Sequence, residues 1–336
     1  MALLDASLPL AAAPMAGGPT SPALTAAVTQ AGAFAFVPAG YLSAEAFAAD
    51  LRAAHAVGRP FGVNLFVPQP RAIDAAAFAA YAEAIRGDAE ALDVVLPAEP
   101  RHDDDAWHEK VALLVAEPVP VVSLTFGLPE RGDIAALRKA GSRVLATVTT
   151  ADEARAAEEA GVDGLVVQGP RAGGHSGTFD PHRPITDAST ADAVRAVAAA
   201  TRLPLIAGGG VDGPDAVREL LAAGAEAVAV GTLLLRASEA GTSTTHREAL
   251  ADPAFATTVV THCFTGRPAR ALRNAFVDRH HASAPYGYPE LHHLTRDLRR
   301  TAARAGDPHR LHLWAGTGFR SAQARPAAEI LRGLAP

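Results

Sequence analysis

The chain has one cysteine, Cys263, so it can form no intrachain disulfide, and a reducing, cytoplasmic setting is expected. It has only two lysines, Lys110 and Lys139, and a net charge of −6. That balance excludes the broad basic face needed to bind a nucleic-acid backbone. The remaining positive charge is arginine, which reads as coding bias rather than chemistry. No stretch of about 20 uninterrupted apolar residues exists, so no membrane span is expected. The N-terminus, MALLDASLPLAAAPMAGG, is apolar but lacks a basic start, carries Asp5, and is interrupted by Pro9 and Pro14. These features argue against a secretory signal peptide.

What the chain has is a repeat. Residues 158–169 (EEAGVDGLVVQG), 222–231 (AAGAEAVAVG) and 26–40 (AAVTQAGAFAFVPAG) each join an alanine-rich helix end, an Ala-Gly pair and a short apolar strand. Gly32, Gly161 and Gly224 fit the position just past a helix, where a positive φ is cheap only for glycine. Eight such strands are expected near 8–13, 33–37, 61–66, 119–124, 143–147, 163–168, 204–208 and 226–230. Amphipathic helices are expected at 21–31, 43–57, 73–90, 129–140, 150–160, 189–200 and 213–223. Several open on helix-starting residues: Ser21-Pro22, Ser43, Asp74, Thr150, Ser189 and Gly213-Pro214. With 336 residues, 49% of them hydrophobic, and no charged or proline-rich linker, the pattern predicts one closed α/β TIM (β/α)₈ barrel rather than an open doubly wound sheet. Two segments fall outside the repeat. Residues 91–118 predict a helix-containing insertion before the fourth strand. Residues 245–336 predict a helical extension over the barrel mouth, with patches at 245–251, 266–276 and 290–304. The division expected is therefore a barrel, 1–244, and an extension, 245–336, working as one unit.

Chemistry-bearing residues gather at the strand ends, where barrel enzymes place their sites. The sixth strand ends in Gln168 and runs into GPRAGGHSG, residues 169–177. Gly173, Gly174 and Gly177 would let backbone N–H groups approach a ligand, and Gln168 can donate and accept at once. His175 is the one group there that moves a proton near neutral pH. The seventh strand runs into Gly208-Gly209-Gly210, and the eighth ends in Ala229-Val230-Gly231-Thr232. Gly208, Gly210 and Gly213 match G-x-G-x-x-G, but Glu226 starts the following strand instead of ending it, so a dinucleotide fold does not follow. Loops after the seventh and eighth strands instead suit a phosphate. Asn64 inside the third strand is either a satisfied core amide or a ligand contact. Met15 either floors a flat ring or fills core. The run HHASAPYGYPELHHLT, 280–295, lacks a recognisable metal spacing, so no metal is expected; Tyr286, Tyr288 and His292 either line a pocket lid or belong to a surface helix.

Taken together, APMAGG (13–18), PFGVNLFVP (60–68), VVSLTFGLP (121–129), VVQGPRAGGHSGTFD (166–180), AGGGVDG (207–213) and AVGT (229–232) resemble the nitronate monooxygenase (2-nitropropane dioxygenase) family, class I in particular. FTGRPARALRN (264–274), YPELHHLT (288–295) and LWAG (313–316) extend the resemblance through the tail. It implies a TIM barrel holding non-covalent FMN and oxidation of alkyl nitronates, such as propionate 3-nitronate, by O₂ to a carbonyl compound and nitrite. Met15, Asn64, Gln168, Gly173, Gly174, Gly208, Gly209, Gly210 and the 229–232 segment would hold FMN, and His175 would be the catalytic histidine, accepting the proton of neutral nitroalkanes. The chain departs from the family at AVGT, where QMGT is usual, and at Ser176, where an arginine is common. The second change implies weaker selection for an anionic substrate. The partners implied are a small nitronate or nitroalkane and O₂, with no nucleic acid or membrane; a homodimer is left open. Two alternatives stand beside this reading: an FMN-dependent enoyl-acyl-carrier-protein reductase using NAD(P)H, and a non-catalytic flavin-binding protein.

Overall fold

The computed structural model describes residues 3–71 and 73–336. Eight parallel strands close into a barrel: β1 (Leu10–Ala12), β2 (Phe34–Pro38), β3 (Gly62–Phe66), β4 (Val121–Thr125), β5 (Arg143–Val148), β6 (Gly164–Gln168) and, after the two-residue strand β7 (Gly174–His175), β8 (Leu205–Gly208) and β9 (Ala227–Val230). Strand β9 returns to β1 in the register Leu10↔Val228, Ala12↔Val230. All eight expected barrel strands are present. The covering helices begin where the sequence supplies caps: Ser21, Ser43, Asp74, Thr150 and Ser189 each accept a bond from the amide three residues on. Gly161 ends the helix Ala151–Ala160 at φ 89°.

Period-two alternation sorts each strand into two faces. Ala11, Phe34, Phe36, Val121, Leu145, Ile206 and Ala227 point inward and pack with Leu3 and Leu4. Their neighbours, Leu10, Ala35, Val63 and Val122 among them, pack outward against the helices. Farther along the inner face stand Asn64, Ser123, Thr125, Thr147 and Gln168. The barrel interior thus changes from apolar to polar toward the carboxyl ends of the strands, which is where the site lies.

Two expected helices are corrected. The 73–90 helix is two, Ala75–Ala84 and Arg86–Glu90, divided at Ile85. The 266–276 patch is not helical. The β-branched run of β10 (Thr258–Thr261) recruits β11 (Ala269–Leu272) into an antiparallel pair, Gly266 adopts φ 76°, and a helix begins only at Ala275. Strand β11 also pairs with β7, Ala269↔His175 and Arg270↔Gly174, giving the sheet order β10-β11-β7. The tail is therefore part sheet, and it is bonded directly to the glycine loop. The expected helices at 245–251 and 290–304 are present as Thr244–Ala249 and Glu290–Ala305, and the insertion holds the helix Trp107–Ala116.

A buried carboxylate pins the tail to the barrel side. Asp88, 6% exposed, accepts from Arg279 Nη2 at 2.5 Å, His280 Nε2 at 2.6 Å and Arg310 Nε at 2.8 Å. Burial alone would raise its pKa, but the hydrogen bonds from His280 and Arg279 outweigh burial and hold it below the usual carboxylate value. Its contribution is therefore present above the unfolded carboxylate pKa, about 4, and is lost as pH falls through the folded value. Asp88→Ala should lower the unfolding free energy in urea at pH 7 by about 3 kcal/mol, and the gap between variant and parent should narrow below about pH 4.

Candidate active site

At the carboxyl ends of the barrel strands lies a cavity of about 590 Å³. Of the residues that sequence reasoning selected, Met15, Asn64, Gln168, Gly173, Gly174, His175, Gly208, Gly209, Gly210, Ala229, Gly231, Thr232 and His292 line it together. Three do not. Val230 points the other way: alternation turns Ala229 inward and buries Val230 against the helices. Tyr286 lies elsewhere, its ring stacked on His262 at 4.4 Å. Tyr288 stands behind the wall, packed edge-on against His175 and Phe126 at 5.8 and 5.4 Å.

The two amides are structural as well as lining. Asn64 Nδ2 donates to Ser123 Oγ and Thr125 Oγ1, both at 2.9 Å. Gln168 Nε2 donates to the His175 carbonyl at 2.9 Å, and its Oε1 accepts from Gly177 N at 2.6 Å. The Gln168 amide thus spans the glycine loop and ties down the backbone at His175, with one N–H and one acceptor site not used in these bonds. The glycines also work differently from expectation. A Cβ at Gly173 would sit 2.4 Å from Gly316 N, and one at Gly177 would sit 2.6 Å from Thr147 Cγ2. They admit protein neighbours, the tail backbone in the first case. Gly231 is different: a Cβ there would lie 3.4 Å from Ala13 Cβ and 3.8 Å from Met15 Sδ, in ordinary van der Waals contact, with no clash.

The tail completes the wall. Gly316 N donates to Thr232 Oγ1 at 2.9 Å, and Thr317 N to Arg171 O at 3.1 Å. His175 Nε2 lies 2.8 Å from Thr265 Oγ1, and rings of Phe126, Tyr288 and Trp314 enclose the imidazole at 5.3–5.8 Å. Two guanidinium groups stand near it. Arg267, 1% exposed, lies over the Phe126 ring at 4.1 Å and donates to Gln69 Oε1 and to the carbonyls of Ser176 and Thr178. Arg299, 6% exposed, donates to Thr295 Oγ1 and the His292 carbonyl. Burial first, then repulsion from Arg267 and Arg299, pushes the His175 pKa down to about 3. The imidazole is therefore held neutral. Arg267 Nε donates to the carbonyl of Ser176, so a guanidinium lies behind the position where an arginine is common.

Sequence reasoning missed Tyr41, Phe126, Arg267, Arg299 and Trp314. A signal existed for one of them: His292, Thr295 and Arg299 fall at helical spacing beside the apolar stripe Leu291, Leu294, Leu298. The tail histidines do not converge. His280 bonds Asp88, His281 lies by Thr261, His292 stacks on Tyr41 and His293 pairs with Asp103. Among the described residues no group of three or more His, Cys, Asp or Glu could hold a metal ion, and no helix is long and apolar enough to cross a membrane.

The lowered pKa makes a direct prediction. In the substrate-free protein the His175 ring resonances, followed by NMR, should stay constant from pH 5 to 9, as a ring neutral throughout requires. A titration near the ordinary histidine value would remove the two guanidinium groups from the account.

Comparison with known proteins follows the geometry. The family model described as nitronate monooxygenase matches residues 2–336. A "probable nitronate monooxygenase" of Staphylococcus aureus is 30% identical over 337 residues, covering 99% of this chain and 94% of the relative. The crystal structure of nitroalkane oxidase from Streptomyces ansochromogenes superposes with a TM-score of 0.93 at 42% identity, covering 98% of this chain and 95% of that one. FabK from Thermotoga maritima superposes at 0.76 with 24% identity, covering 99% and 93%, a likeness of fold alone. With the barrel and the glycine-loop histidine in place, the chain belongs to the nitronate monooxygenase family of flavin-dependent oxidoreductases.

Proposed function

We propose that the protein oxidises alkyl nitronates, such as propionate 3-nitronate, with O₂ to a carbonyl compound and nitrite, using non-covalent FMN. Barrel, 1–244, and extension, 245–336, act as one unit in the cytoplasm. The observation that carries this reading is the charge arrangement. Arg267 and Arg299 are buried beside a neutral histidine and bonded to carbonyls, an amide and a hydroxyl rather than to carboxylates. Buried charge is costly unless it finds an opposite partner. The charged residues of the cavity wall are Arg296, Arg299, Arg300 and Arg304, with no Asp or Glu among the described lining residues. Such a wall suits an anion, and a nitronate is one.

The cavity also fits the cofactor. Its volume falls within the range of roughly 300–1,000 Å³ common for such sites. Gly209, Gly210, Gly231 and Thr232 would hold the phosphate near the helix that starts at Pro214, where the dipole favours an anion. Met15 would floor the ring, and Asn64 with Gly173 and Gly174 would meet its edges. Bound FMN would supply the electron acceptor. The chain's own residues do the rest. Arg299 draws the anion in, the aromatic rings around His175 exclude water, and neutral His175 takes the α proton when the substrate is a nitroalkane. A nitronate has already lost that proton and does not need the base.

Purified protein should show a flavin spectrum and release nitrite when propionate 3-nitronate is added under air. His175→Ala should keep the flavin and lose turnover of neutral nitroalkanes by roughly a hundredfold or more, with nitronate turnover falling less. A flavin-bearing parent that releases no nitrite, or a His175→Ala enzyme with parental nitroalkane turnover, contradicts the reading.

A further inference from the structure

Tyr41 is the cavity residue with the most unusual surroundings. It follows β2 at φ 69°, a left-handed region that is strained for a non-glycine residue. Its amide donates to Asp105 Oδ1 at 2.8 Å, so the insertion holds the turn in place. Its ring lines the cavity, stacked on His292 at 4.0 Å and edge-on to Phe66 at 5.3 Å. Its hydroxyl oxygen is buried and has no hydrogen-bond partner. The Tyr288 hydroxyl acts on its oxygen and lowers its pKa against the larger effect of burial, as a group donating toward that oxygen would, which leaves the Tyr41 O–H itself free to donate. Arg299 is the cation that acts on it most strongly, ahead of Arg267. A strained backbone and an unsatisfied buried hydroxyl are each destabilising, and together on one cavity residue they indicate a role toward a ligand.

We infer that the Tyr41 hydroxyl donates a hydrogen bond to an oxygen of the anionic substrate, beside the charge of Arg299. This rests on the nitronate reading and adds a substrate-binding residue to it. The group is suited to the task because burial pushes its pKa up to about 12, so it stays protonated and can only donate to an oxyanion at working pH. The ring stack on His292 and the Asp105 bond fix its direction, so little side-chain freedom is lost on binding.

Nitrate, a planar and unreactive oxyanion, serves as the probe. With the flavin-loaded protein, Tyr41→Phe should retain the flavin spectrum, weaken nitrate binding roughly ten- to a hundredfold, and lower kcat/KM for nitronate by a similar factor, as expected for a hydrogen bond to a charged group. 3-Fluorotyrosine at position 41, a stronger donor of nearly the same shape, should tighten nitrate binding. Nitrate affinity and kcat/KM within twofold of the parent in Tyr41→Phe would overturn the assignment, as would fluorotyrosine with no effect. If Tyr41→Phe fails to fold, the fluorotyrosine result decides alone. The two readings fail separately. A parent that binds nitrate through Tyr41 yet releases no nitrite from nitronates refutes the function and keeps the residue. An active parent whose Tyr41→Phe variant is unchanged does the reverse.

Discussion

Two backbone pairings, Ala269↔His175 and Arg270↔Gly174, carry the rest of the site. They turn a loop into the edge of a sheet, and the histidine that the loop carries becomes fixed between the barrel and the tail. From the same register, Arg267 emerges behind Ser176, and Thr265 reaches His175 Nε2. The close approach of Gly173 to Gly316 follows from the same docking, since a side chain at 173 would hold the tail off. The barrel supplies the floor and the phosphate-suited loops. The tail supplies the cations and most of the aromatic enclosure. Neither half forms the site alone.

The electrostatics explain why such a site is built at a cost to stability. Two guanidinium groups, Arg267 and Arg299, are buried with no carboxylate hydrogen-bond partner, an arrangement that costs stability. After burial, they also help to keep the His175 imidazole uncharged. The same positive potential does both jobs. On the proposed reading it would draw in a negatively charged substrate, and together with burial it holds the imidazole neutral.

The barrel was legible in the sequence because its signals are local. Each unit announces itself through an alanine-rich helix, a capping Ser, Thr or Asp, a glycine stop and a short apolar strand, and the strand ends then locate the glycine loops. The cavity-lining glycines, Asn64, Gln168 and His175 were found this way. What stayed hidden depends on contacts between distant segments. Strand β11 looks helical on composition, and only its pairing with β10 and β7 makes it extended. Gln168 shows a suitable amide in sequence, yet its partners, the backbone at 175 and 177, decide what it does. Tyr41 carries no local mark at all, because its strain and its unsatisfied hydroxyl exist only once Asp105 and His292 surround it. Tyr286 shows the opposite error: an aromatic two residues from a site residue can face another histidine entirely.

The central claim is that the arginine-lined wall, and the buried Arg299 in particular, makes this an oxyanion site. The direct measurement is nitrate affinity of the flavin-loaded Arg299→Met protein, read from the flavin absorbance. Methionine roughly keeps the length of the side chain and removes the charge, a replacement that buried ion sites tolerate. The account predicts retained flavin and a loss of nitrate binding of roughly tenfold or more. Parental nitrate affinity in that variant would contradict it.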